Sequence, residues 1–273
     1  MDEVVARDVP ASCDQHGAYI AIERTLLGRV HRSRCPQCEA LRGAAERELE
    51  TKRIATNKRL RVEALLGKSG VPLRFAGRSF GNYRAETAPQ IAALTICKTY
   101  AANFESRLQH GGGLILCGRP GTGKTHLAAA ISKHVCSTGR SSLFTSVMGL
   151  TRAVKSTYRR DAENTEDKII AGYALPDLLV LDEVGVQFGS DTEKMILFEV
   201  LNARYEQMKP SIVLSNLSET EIGDYLGARV VDRLKEGGGV SVAFDWNSYR
   251  ERVGRDVDLP PREVGPVRWF DGL

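Results

Sequence analysis

The sequence predicts an α/β fold: a parallel sheet with helices on both faces. Three observations carry this reading. Short apolar runs alternate with helical stretches from Leu114 onward. The first run, Leu114–Cys117, leads into Gly118-Arg119-Pro120-Gly121-Thr122-Gly123-Lys124-Thr125, a complete G-x-x-x-x-G-K-[ST] motif that opens a helix. Another run, Leu178-Leu179-Val180-Leu181, ends on the carboxylate pair Asp182-Glu183. Short apolar strands that alternate with helices belong to sheets buried on both sides.

Composition narrows the field. The 273 residues allow one large domain or a small module plus a core domain. With 42% hydrophobic and 26% charged residues, whole-chain disorder, collagen and coiled coil are excluded. No apolar run approaches the roughly 20 residues that span a bilayer. The opening MDEVVARDVPAS carries no apolar signal core. The expectation is a cytoplasmic protein without membrane contact. A net charge of +4 is too mild to name a partner by itself.

The elements follow in chain order. Three of the six cysteines join a histidine as Cys13-x2-His16 and Cys35-Pro36-Gln37-Cys38, with eighteen residues between the pairs. Two short chelating pairs, each in a tight turn, suit a tetrahedral zinc ion, and four protein ligands make such a site structural. His31 is the second candidate for the nitrogen ligand. Residues 1–40 form this module, and residues 41–70 a helical arm. The helical stretch runs from about Cys38 to Leu66, and Gly67 and Gly70-Val71-Pro72 end it. Between 51 and 68, six cations stand against Glu63 alone, which fits a solvated linker or an arm that touches a partner.

The core is expected over 71–253. A helix from about Pro89 to Gln109 precedes strands at Leu114–Cys117, Ser142–Val147, Leu178–Asp182, Ser211–Ser215 and Val240–Phe244. Helices are expected at Lys124–Cys136, Met148–Arg159 and Thr192–Met208. The proline-bearing tail 254–273 is expected to be extended or flexible.

The chemistry concentrates at the strand ends. Backbone amides of Gly118, Pro120–Gly123 and their neighbours, less the proline's missing donor, curl around a phosphate. Lys124 reaches the β- and γ-phosphates of ATP, and the Thr125 hydroxyl ligates magnesium. Asp182 also holds magnesium, and Glu183 orients the attacking water. A small-molecule kinase has no need of Glu183 in this place, so the pair favours hydrolysis. Asn216, after the strand Ser211–Ser215, is read either as a residue that holds the water and senses the γ-phosphate or as a turn asparagine.

These residues resemble the replicative helicase loaders of DnaC type, a branch of the AAA+ ATPases that includes the IstB-like transposition helpers. The similar stretches are Ser69-Gly70-Val71, Ser79–Arg84, Gly118–Ala130, Leu181–Gln187, Gly227–Leu234 and Phe244–Arg250. They cover about 70–250 and do not extend through the zinc module. The resemblance implies an AAA+ core with a five-stranded parallel sheet and brings His126 into the nucleotide-binding set. It implies that Arg233 is an arginine finger acting on a neighbouring subunit, with Arg229 the second candidate, and that Arg250 senses phosphate within its own chain. From the residues alone, each arginine reads as a surface ion-pair former, and the resemblance reverses that reading for Arg233 and Arg250. The implied partners are a replicative helicase, single-stranded DNA and further copies of the chain. For DNA, Arg152, Lys155 and Arg159 fall on one face of the helix expected over Leu150–Arg160, with Tyr158 among them to stack on a base. A solvated face is the alternative. The reading is an ATP-dependent helicase loader. The rival readings are an ATPase helper of a transposase and a zinc-containing, ATP-switched adaptor with little hydrolysis.

Overall fold

The computed structural model describes residues 6–26, 29–66, 71–185 and 190–249. The chain divides into two compact units at Asn57/Lys58.

The first unit opens with three antiparallel strands, β1 (Ala6–Cys13), β2 (Gly17–Leu26) and β3 (Arg29–Arg32), followed by the long helix α1 (Pro36–Leu66). Tyr19, Ile20 and Ile22, aromatic and β-branched residues, favour the extended backbone of β2. Among the described residues of this unit, Ala21, Glu23 and Cys35 alone are buried. Glu23 stands opposite Arg7 on one neighbouring strand and Arg32 on the other. Its carboxylate accepts from Arg7 Nε at 2.7 Å and from Arg32 Nε at 2.7 Å. These bonds, Arg32's first and then Arg7's, hold the carboxyl below the usual carboxylate range. The expected boundary at residue 40 falls inside α1. Pro36 occupies the first position of the helix, where its missing N–H costs nothing.

The second unit has the expected layered plan. Helices α2 (Ala88–Ala102) and α3 (Phe104–His110) lead to β4 (Leu114–Gly118) and α4 (Lys124–Ser137). Then come β5 (Ser142–Ser146), α5 (Val147–Lys155), α6 (Glu166–Ala174), β6 (Leu178–Val184), α7 (Asp191–Glu206) and β7 (Ser211–Ser215). Helices α8 (Glu219–Leu226) and α9 (Ala228–Lys235) precede β8 (Val240–Phe244). The five strands run in the order β5-β6-β7-β4-β8, and all pair in parallel. Leu114, Leu116, Leu178, Val180, Ile212 and Leu214 pack into one core with α2 and α4. Ile115, Cys117, Leu179, Leu181 and Val213 pack into the other with α5, α6 and α7. The two-residue period of a strand delivers these neighbours to opposite faces.

Two expected helices end differently. The helix expected over Pro89–Gln109 breaks at Asn103, whose backbone leaves the helical region. The helix expected over Met148–Arg159 ends at Lys155. There Ser156 and Thr157 donate their hydroxyls back to the carbonyls of Ala153 (2.6 Å) and Val154 (2.7 Å), a local competition that unravels helix ends. Among the described residues, no helix is long and apolar enough to cross a membrane.

Candidate nucleotide site and metal centre

The phosphate loop joins the carboxyl end of β4 to the amino end of α4. Positive φ at Gly121 (+75°) and Gly123 (+101°) gives the loop its tight curl. A side chain at either would also collide: a Cβ at Gly121 would lie 2.0 Å from Ser248 Oγ, and one at Gly123 2.6 Å from Tyr83 Cε2. Gly118 closes β4, Arg119 and Pro120 are exposed, and Thr122 is buried. Lys124 is buried, and its Nζ donates to the carbonyls of Gly118 and Arg119, both at 2.7 Å. The loop thus holds the ammonium of Lys124 over its own mouth. His126 lies edge-on to Tyr83 with ring centroids 5.2 Å apart, and its Nε2 sits 2.9 Å from the carbonyl of Ser79. Burial pulls the pKa of this imidazole down.

The second half of the site lies at the end of β6. The Thr125 hydroxyl donates to Asp182 Oδ2 at 3.1 Å, and the amide of Glu183 donates to Asp182 Oδ1 at 2.8 Å. Burial pushes the Asp182 carboxyl up, and these two donors pull it back. A hydroxyl and a half-buried carboxylate in contact are a fitting donor set for magnesium, a cation that takes oxygen ligands. The β6–β7 pairing slips between Leu181 and Val184. Within that irregularity Glu183 has φ +63°, a strained conformation for a non-glycine residue, and its side chain is exposed. Asn216 follows β7, which neighbours β6, and is exposed at the same sheet edge.

Arg233 is not brought to this edge. It lines a cavity with Gly113 and Ser211, which precede or open β4 and β7, so it lies at the amino edge of the sheet. Its guanidinium stacks on Tyr205, 4.7 Å from the ring centroid, and bonds to Asn202 Oδ1. Arg229 is exposed. Arg250 lies outside the described residues. Arg152 and Lys155 are exposed on α5, whose opposite face buries Leu150, Thr151 and Val154. Arg159 does not share that helix face, because the helix ends before it. Tyr158, 55% exposed, donates to Glu166 at 3.4 Å.

In the first unit, Cys13, His16, Cys35 and Cys38 converge, with their ligand atoms all within 4.8 Å of one another. Cys13 and Cys38 sulfurs are 3.5 Å apart, and His16 Nδ1 lies 3.2 Å from Cys38 and 3.7 Å from Cys13 and Cys35. A tetrahedral zinc with bonds of about 2.3 Å sets its sulfurs about 3.8 Å apart, so the cluster fits that ion. The first pair sits in the β1–β2 turn as expected. The second does not sit in a turn: Cys38 lies in the first helical turn of α1, where residues three apart share a face. His31 lies on β3 opposite Arg24, outside the cluster. The Gln15 amide and His16 lower Cys13 to about 6, while the bond to Cys13 and burial raise Cys38 to about 11. Crowded thiols resist joint ionisation, which a bound cation relieves.

Fold and phosphate loop together define a P-loop nucleotide-binding protein of the AAA+ class. The chain belongs to the family described as IstB-like ATP binding protein, whose model matches residues 55–255. It is 35% identical over 215 residues to the replicative helicase loader DnaC of Escherichia coli strain K12, covering 78% of this chain and 83% of that one. It is 34% identical over 203 residues to the same-named protein of Buchnera aphidicola subsp. Schizaphis graminum, covering 74% and 81%. The crystal structure of the DnaC helicase loader superposes with a TM-score of 0.56 at 24% identity, over 63% of this chain and 99% of that one.

Proposed function

We propose that the chain is an ATP-hydrolysing loader that binds a replicative helicase in the cytoplasm and helps place it on single-stranded DNA. The observation that carries this reading is the 35% identity that extends over 83% of a helicase loader, far beyond the nucleotide motifs. The working parts are a zinc module to about residue 40, a basic arm to 70, an ATPase core over 71–253 and a tail. Cys13, His16, Cys35 and Cys38 hold the zinc.

In this reading Lys124 leaves the loop carbonyls for the β- and γ-phosphates, and the loop amides bind the phosphate oxygens. Thr125 and Asp182 would hold magnesium, which when bound neutralises phosphate charge. Glu183 orients the water and Asn216 holds it from the next strand. Arg233 stands at the sheet edge opposite its own phosphate loop, so its γ-phosphate belongs to a neighbouring copy; Arg250 serves its own chain. Arg152 and Lys155 follow the DNA backbone, with Tyr158 and Arg159 beyond the helix end.

Capture of purified replicative helicase by the full chain, with and without ATP, tests the function. Retention of helicase and DNA-stimulated ATP turnover are expected. Glu183→Gln should keep ATP binding and lower turnover about 100-fold or more. No capture in either nucleotide state would remove the loader reading, and turnover unchanged by Glu183→Gln would remove Glu183 from the chemistry.

A further inference from the structure

The phosphate loop is laced to two segments distant from it in sequence. From the exit of β8, the Phe244 carbonyl accepts from the Arg119 amide at 2.9 Å, and the Tyr249 amide donates to the Gly121 carbonyl at 2.9 Å. Between them, Trp246 Nε1 donates to the Thr122 carbonyl at 3.1 Å. From the entry segment, the Tyr83 hydroxyl donates to the same carbonyl at 3.3 Å. One carbonyl of the loop thus takes two side-chain donors, from residues 39 and 124 positions away. Phe244 packs on Trp246 with ring centroids 4.7 Å apart, which fixes the indole. Burial raises the Tyr83 phenol well above its ordinary range, so it remains a donor at neutral pH.

The consequence lies in the geometry of a peptide. No cis bond is present among the described residues, and a trans peptide is planar, with its C=O and the following N–H on opposite sides. Drawing the Thr122 carbonyl toward Trp246 and Tyr83 turns the Gly123 amide the other way, the orientation in which a loop of this kind presents N–H groups to phosphate. Donors on the carbonyl also polarise the peptide and strengthen its N–H.

We propose that Trp246 and Tyr83 are positioning residues for nucleotide binding: together they fix the Thr122 carbonyl and, through it, the Gly123 amide. This rests on the ATPase reading. By linkage, phosphate on the loop stabilises the contacts that hold Trp246, so this indole senses nucleotide. The sequence contains two tryptophans, and Trp269→Phe leaves Trp246 as the single reporter in the full chain.

The experiment measures ATP affinity, steady-state turnover and indole emission in Trp269→Phe, alone and with Tyr83→Phe. It repeats affinity and turnover for Trp246→Phe and for Tyr83→Phe/Trp246→Phe. Tyr83→Phe keeps the ring and removes only the hydroxyl donor, whereas Trp246→Phe removes the N–H donor and leaves a smaller ring against Phe244. Each single variant should weaken ATP binding and raise KM about 3- to 10-fold, the worth of one hydrogen bond, with kcat within about twofold. The double variant should exceed either single one, and saturating ATP should shift Trp246 emission. The lacing is overturned if both single variants bind ATP as the parent does, or if they lose kcat and Tm together at unchanged KM. Emission indifferent to saturating ATP also overturns it, a readout that needs only the folded parent. If the parent itself neither binds nor hydrolyses ATP, the ATPase reading fails, and the proposal fails with it.

Discussion

The two units of this chain hold their folds by different chemistry. In the ATPase core, a five-stranded sheet buries apolar side chains on both faces, and Leu114, Leu116, Leu178, Leu179 and Leu181 are wholly inaccessible. Each such side chain contributes about 1.5–3 kcal/mol of burial. Among the described residues of the first unit, Ala21 is the buried aliphatic residue, while Ile20 is 67% and Leu49 70% exposed. What converges there is polar: a carboxylate between two guanidiniums, and three thiols around an imidazole. A unit of this size with so little apolar burial requires a staple. The core rests on apolar burial, whereas the first unit, with its Cys/His cluster and its Glu23 ion pairs, is proposed to lean on zinc and on charge.

The largest effect is expected from removing a ligand of the proposed zinc. Structural zinc contributes about 10–16 kcal/mol in small zinc-finger peptides, nearly all of it folding free energy. Cys38→Ser should abolish stoichiometric zinc, measured by elemental analysis, and unfold β1–β3 while ATP still binds the core. Next in size, Leu116→Ala should destabilise the core by about 2–5 kcal/mol in a denaturant titration. A third test uses acid. The Glu23 carboxyl is held below its unfolded value, so its contribution is present above the ordinary carboxylate pKa and is lost as pH falls through the lower folded value. The first unit's melting temperature should therefore drop below about pH 4, and Glu23→Gln should remove the part of that drop that comes from this carboxyl. The smallest effect is expected for Leu49→Ala, within about 0.5 kcal/mol despite the loss of a large apolar side chain. A loss as large as that of Leu116→Ala would show that the first unit has an apolar core after all.

Legibility in the sequence follows the same division. The phosphate loop and Asp182-Glu183 were readable because their chemistry is local and bound to a strand-then-turn context. The two cysteine-histidine half-sites were readable by spacing, but the sheet that carries them was not. Arg7, Asp8 and Pro10 in β1 are poor strand signals, and β1 holds its place through Glu23 and through register with β2. The strand-favouring Tyr19, Ile20 and Ile22 were the available clue. The early end of α5 had a readable cause in Ser156-Thr157, residues that compete with helical hydrogen bonds. The roles of Tyr83, Trp246 and buried Arg204 were not readable. Arg204 donates to the carbonyls of Pro176 and Pro210 at 2.8 and 2.6 Å and to Ser211 Oγ at 2.9 Å, and burial lowers its pKa to about 9. The contacts with Thr122 and Pro176 join residues far apart in the chain, and no local pattern announces them.

Amide hydrogen exchange on the full chain, with a zinc chelator in one arm and ATP with magnesium in the other, tests the division most directly. The account predicts that the chelator deprotects β1, β2 and β3 and leaves β4, β6 and β7 protected. ATP should protect residues 118–125 and leave β1–β3 unchanged. Persistent protection of β1–β3 after the metal is removed, or no protection of residues 118–125 by ATP, would contradict it.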